Sequence, residues 1–220
     1  MFGRQIGFKF NLDGSPARFP GNTFVSDIDP DNPAYSILRE TVSSIDRAGL
    51  SPLLIKLPGD SYHVTIMRGL NDKVRSAEFW PPKLSTSCTL AEMDSYIREK
   101  LKDIPFSASF SMVFRRLQWN DEDVRVCLAP SCRDSERALR SLRDSIADRL
   151  GLRLPGHEHY TFHATLAYVH YRAQERDAEK ITQITDDFFT RHSGVALEIS
   201  APRLAFYEDM MEFPSERRRS

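Results

Sequence analysis

Alternating apolar and polar positions mark strands along this chain, and three-to-four spacing marks helices. "NTFVSDI", residues 22–28, alternates as a strand. The stretch after it, "DPDNPAYSILRETVSSIDRAGL", puts Leu38, Val42, Ile45 and Ala48 on one helical face, with Asn32 at the N-cap, Pro33 at the first helical position and Gly49 as the stop. "PLLIKL" returns as a strand, "PGD" turns, and "SYHVTIM" follows as another strand. Residues 70–88 carry Pro81 and Pro82 and read as irregular. Thr89 and Glu92 then form a capping box that opens the helix "LAEMDSYIREKLKDI", which links the two halves of the chain.

The second half repeats these periods. "FSASFSMVFRRLQW", from Phe106, predicts a long strand, and "VRVCLAP" another with Val124, Val126 and Leu128 on one face, the two forming a hairpin around "NDED". Adjacent Arg115 and Arg116 then point to opposite faces. "DSERALRSLRDSIADRLGL" is a helix with Leu139, Leu142, Ile146 and Leu150 inward and Gly151 at its end. "FHATLAY" is the next strand, Ala173 to His192 a helix with Ile181, Ile184 and Phe188 in register, and "VALEIS" and "RLAFYE" the closing strands. The tail "PSERRRS" is too polar to pack.

An internal repeat is visible in the letters. "SSIDRAGL" ahead of "LPGDSYHVT" matches "DSIADRLGL" ahead of "LPGHEHYTFHAT": a helix ending at glycine, a Leu-Pro-Gly, then a strand carrying His-x-Thr. Duplication of one supersecondary unit explains the shared order. Side chains alternate along a strand, so His63 and Thr65 share one face while Val64 and Ile66 take the other; His163 and Thr165 stand likewise opposite Phe162, Ala164 and Leu166. Two lobes related by a two-fold axis would set both pairs across one cleft.

That constellation has a chemistry. Two imidazoles with an ordinary pKa of about 6.5 can divide acid and base roles near neutral pH. Each threonine sets a hydroxyl donor beside its imidazole, suited to an anionic oxygen such as that of phosphate. Opening a cyclic phosphodiester by water is a reaction this set could run without a metal.

Composition narrows the setting. The 220 residues are 40% hydrophobic and 28% charged, enough for one large domain or two small lobes with a core. A formal charge of -1 disfavours bulk nucleic-acid binding and leaves a local basic cleft open. No run is long and apolar enough for a membrane helix, and "MFGRQIGFKFNLDG" lacks the apolar core of a signal peptide, so a cytoplasmic protein is expected. Cys88, Cys127 and Cys132 show neither disulfide nor zinc spacing and fit a reducing compartment.

Duplicated His-x-Thr about a hundred residues apart, in "SYHVTIM" and "FHATLAY" with "FPGNTFVSDI" upstream, resembles the two-histidine (2H) phosphoesterase superfamily, which includes bacterial RNA ligase-like proteins and cyclic nucleotide phosphodiesterases. The resemblance spans about Asn22 to Tyr207 and is greatest to a poorly characterised branch. It implies an α+β fold: a single bilobal, pseudo-two-fold duplicated domain over residues 1–220, with antiparallel sheets lining a central cleft and helices outside. Lobe one would run about 22–88, lobe two about 106–212, and 214–220 would be a flexible tail. It also implies His63 and His163 as acid and base, Thr65 and Thr165 as phosphate ligands, and no metal or other cofactor. The expected partner is a small cyclic nucleotide or an RNA end bearing a 2',3'-cyclic phosphate.

Other readings stand beside this one. Asn22, after Pro20 and Gly21 and ahead of a strand, is a candidate substrate contact, although turn chemistry explains it equally well. On strand parity His157, His159 and His163 share a face; His159 is then a further substrate-binding candidate and the three suggest a metal, but no HExxH spacing or carboxylate partner supports one. A binding module for phosphorylated ends on the same fold, or a metal-dependent hydrolase, are the alternatives in function.

Overall fold

A computed structural model describes residues 1–217. The first strand, β1 (Gly21–Asp27), leads into α1 (Pro33–Arg47), where the Asn32 side chain accepts from the Ala34 N–H at 2.9 Å and Leu38, Thr41 and Ile45 are buried. β2 (Leu54–Lys56) is short because Ser51–Leu53 form a 3-10 turn. β3 (His63–Asn71) precedes an irregular stretch, and α2 (Leu90–Leu101) opens on the expected Thr89–Glu92 capping box. β4 (Phe110–Trp119) and β5 (Asp123–Pro130) form the expected hairpin. α3 (Arg133–Leu150) ends at Gly151, whose φ of +66° favours glycine. β6 (His163–Val169), α4 (Glu175–His192), β7 (Ala196–Ile199) and β8 (Arg203–Tyr207) complete the order.

All eight strands join one antiparallel sheet in the order β7-β4-β5-β6-β3-β1-β8, with β2 also on β6. β3 meets β6 at a single register pair, Val64 with Ala164, after which the strands part and β2 fills the space along the far end of β6. The edge strands β7 and β8 are joined by residues 200–202 alone, and the Ser200 N–H donates to the Asp27 carbonyl at 3.1 Å, so the sheet curls until its edges approach. Sequence halves and sheet halves therefore differ. β2, numbered in lobe one, pairs in lobe two, and β8, numbered in lobe two, pairs with β1.

Phe24, Val64, Ile66, Phe114, Val126, Ala164 and Leu166 lie in one continuous apolar core shared with inward residues of all four helices. Residues 1–19 join it: Phe10 is fully buried against Tyr168, and Gly3 sits so close to the Val169 carbonyl that a Cβ would meet the oxygen at 2.0 Å. Of the tail, Pro214 and Arg217 are held against the fold, which its polarity did not lead one to expect. Arg217 pairs with Asp94 of α2 and with Glu208, its side chain only 17% exposed; long guanidinium side chains bury their stems when carboxylates meet the head. Residues 218–220 of the predicted tail lie outside the described residues. Among the described residues no helix is long and apolar enough to cross a membrane.

Candidate functional site

Because Val64 and Ala164 pair and are both fully buried, their sequence neighbours face the opposite side of the sheet. Antiparallel register sets His63 beside Thr165 and Thr65 beside His163, all four half-buried. The two motifs thus meet at the junction of the sheet halves.

The local geometry of the histidines is the same on both strands. A Pro-Gly leads into a 3-10 turn, Gly59–Ser61 in one copy and His157–His159 in the other, each closed by a tyrosine; Tyr62 immediately precedes His63, whereas Thr161 and Phe162 separate Tyr160 from His163. His63 Nδ1 lies 2.7 Å from the Ser61 carbonyl oxygen, and His163 Nδ1 lies 2.9 Å from that of Thr161. A carbonyl only accepts, so each Nδ1 carries the hydrogen and each Nε2 is free to take or give a proton. Neither threonine hydroxyl has a hydrogen-bond partner among the described residues.

Neighbouring charges are arranged alike but come from different strands. Asp27 lies opposite His63 in the β1–β3 register and holds Arg203 of β8 at 2.6 and 2.8 Å. Arg125 lies opposite Thr165 in the β5–β6 register and is clasped by Asp123. Burial lowers the pKa of His63, with the Ser61 carbonyl and Asp27 opposing and Arg203 adding to the effect. Burial also lowers that of His163, to about 4, helped by the Arg125 charge and opposed by the Thr161 carbonyl and Asp123. Both shifts favour the neutral imidazole at neutral pH. An anion between them would favour protonating one.

Arg125, Asp123, Asp27, Arg203 and Phe213 were absent from the sequence reading. Parity in "VRVCL" carries the signal for Arg125, since a buried Val124 and Val126 send it to the face of Thr165. Phe213, whose ring centroid is 4.3 Å from that of His63, had no such signal. Arg115 and Arg116 are both exposed, because a bulge after Phe114 breaks strict alternation. Arg116 pairs in register with Cys127, whose buried thiol is pushed up in pKa chiefly by burial.

Two candidates fall outside the cluster. Asn22 is 1% exposed and spans β1 to its neighbours, accepting from the Leu70 N–H at 2.8 Å where β1 and β3 slip register, and donating to Asp94. Its side chain is part of the frame. His159 lies in a 3-10 turn, so the strand parity that joined it to His163 does not exist, and its side chain is exposed. His157 is buried and bonded to Asp144 at 3.0 Å, with Glu158 nearby. Arg153 already bridges those two carboxylates and offsets part of their charge.

The structure of a conserved protein of unknown function, ATU0111, from Agrobacterium tumefaciens str. C58 is similar over 97% of this chain and 91% of that one, with a TM-score of 0.85 and 23% identity. TT0787 of Thermus thermophilus is similar over 92% and 100%, with a TM-score of 0.51 and 12% identity. E. coli LigT complexed with 3'-AMP is similar over 90% and 95%, with a TM-score of 0.50 and 12% identity. At these identities the likeness is one of fold. No curated protein matches the sequence. A family model matches residues 9–121, a span that includes His63 and Thr65 and stops before the second motif. Just over half of the chain is thereby matched, and the protein belongs to the 2H-phosphodiest family, described as a domain of unknown function (DUF1868), within the 2H phosphoesterase superfamily.

Proposed function

We propose that the protein hydrolyses a 2',3'-cyclic phosphodiester at the end of a nucleotide or RNA by acid/base catalysis between His63 and His163. The observation that carries this reading is the Val64–Ala164 pairing, with each motif histidine tied through Nδ1 and presenting Nε2. One imidazole takes the proton of the attacking water. The other, protonated, donates to the ribose oxygen as its bond to phosphorus breaks. Thr65 and Thr165 donate to the non-bridging oxygens, whose charge grows in the transition state. Arg125, beside Thr165, adds a cation on the same wall. No step calls for a metal. A fold shared with E. coli LigT, solved with 3'-AMP, supports a ribonucleotide as ligand.

The test is turnover of the four nucleoside 2',3'-cyclic monophosphates with chelator present, for the unaltered protein, His63→Ala and His163→Ala. Loss of a measurable activity in both variants is expected. Activity that survives either substitution, or that the chelator abolishes, would exclude the mechanism; binding of nucleotides without any turnover would point to a recognition module.

A further inference from the structure

Residues 208–217 fold back over the sheet beside β3. The Phe206 N–H donates to the Pro214 carbonyl at 2.8 Å, and Arg203, whose guanidinium holds Asp27, also donates to the Phe213 carbonyl at 2.8 Å. Arg217 clamps the far end through Asp94 and Glu208 and donates to the Gly21 and Tyr207 carbonyls at 3.2 Å each. Between these anchors the Phe213 ring is set on His63 at a centroid distance of 4.3 Å and on Tyr207 at 5.4 Å. Tyr160, the corresponding aromatic neighbour of His163, is 6.1 Å away and belongs to the duplicated unit itself.

We propose that Phe213 is a positioning residue for His63, delivered by a strap outside the duplicated unit, which fixes the imidazole plane and keeps water from one side of it. This rests on the reading of His63 as a proton-transfer group. The Nδ1 bond to Ser61 fixes one edge of the ring, and the tilted Phe213 ring, at 57° to the imidazole, limits the rotation that remains. The charged groups around His63 are Asp27 on β1, Arg203 on β8 and, across the junction, His163; Glu212 precedes Phe213 in the strap. Asp27 and Arg203 already neutralise each other, so removing the ring chiefly changes hydration.

The experiment is an NMR titration of the His63 and His163 ring protons in the unaltered protein, Phe213→Ala, Phe213→Leu and Arg217→Ala, with pH profiles of kcat/KM on a nucleoside 2',3'-cyclic phosphate. In Phe213→Ala the His63 midpoint should rise toward the ordinary value near 6.5, with His163 unmoved, and kcat/KM should fall on the order of tenfold. Phe213→Leu should keep the midpoint near that of the unaltered protein, and Arg217→Ala, which releases only the far anchor while Arg203 still holds the Phe213 carbonyl, should give a smaller rise than Phe213→Ala. If Phe213→Ala does not fold, Phe213→Val takes its place. A His63 midpoint unmoved in whichever of these two folds would overturn the proposal. The titration reads out without turnover, so an inactive protein whose His63 midpoint still shifts would count against the hydrolase reading alone.

Discussion

The segments entering β3 and β6 are near copies, yet the strands they join have different surroundings. Each histidine is reached through Pro-Gly, a 3-10 turn and an aromatic residue, Tyr62 or Phe162, the second approach being three residues longer, and each donates through Nδ1 to the carbonyl two residues back. His63 then meets Phe213 and the Asp27–Arg203 pair, contributed by β1, β8 and the strap. His163 meets Arg125 and Asp123, both from the single strand β5. The duplicated part settles which nitrogen is tied to the backbone and which is left free. The unduplicated part settles how readily that nitrogen takes a proton, because desolvation and nearby charge are properties of the neighbours.

The largest effect tests whether the two copies are equal partners. His63→Ala and His163→Ala should each lower kcat by about 10³-fold, within the range for loss of a general acid or base. A double variant scarcely worse than either single would mean that they act as one unit. Next, Thr65→Val and Thr165→Val should each cost about 10²-fold in kcat, as for a lost transition-state donor. Steady-state kinetics with unchanged KM would place the loss in the transition state.

The comparison sharpens with pH. Both pKa values are lowered, so kcat/KM should follow a bell whose maximum lies below 6.5. A flat profile between pH 5 and 9 would count against two histidines. Arg125→Gln should raise the His163 midpoint from about 4 while leaving that of His63 in place, as ring-proton titration would read. Stability carries the same sign. Between pH 6.5 and about 4 the unfolded chain binds a proton at residue 163 that the folded chain does not, so stability is full above 6.5 and falls as pH drops through that window. Urea midpoints across this range would measure it, and Arg125→Gln should shrink the loss. The smallest change expected is in Asn22→Ala: about 1–2 kcal/mol of stability, from the unpaired Leu70 N–H, with kcat/KM unaltered.

Much of the fold was legible because its signals are local. The Asn32 cap, the Thr89–Glu92 box and Gly151 each mark a boundary by chemistry within a few residues, and the His-x-Thr strands carry their own parity. Strand parity failed where an irregularity intervened: at the bulge beside Arg115 and at His157–His159, where the chain turns as a 3-10 helix. Strand pairing is less legible for another reason. Pairing joins strands distant in sequence, and neither β2 nor β8 carries a local mark of its partner.

The sequence by itself determined the elements, the repeat and the four side chains of the two motifs, since periodicity, caps and parity are written in neighbouring residues. Only the tertiary structure decided that β3 and β6 touch at one pair of residues, that Asp27, Arg203 and Arg125 surround the histidines, and that the strap 208–217 returns to set Phe213 against His63. Register and burial arise from packing between segments many residues apart, and it is burial that lowers the pKa of both imidazoles.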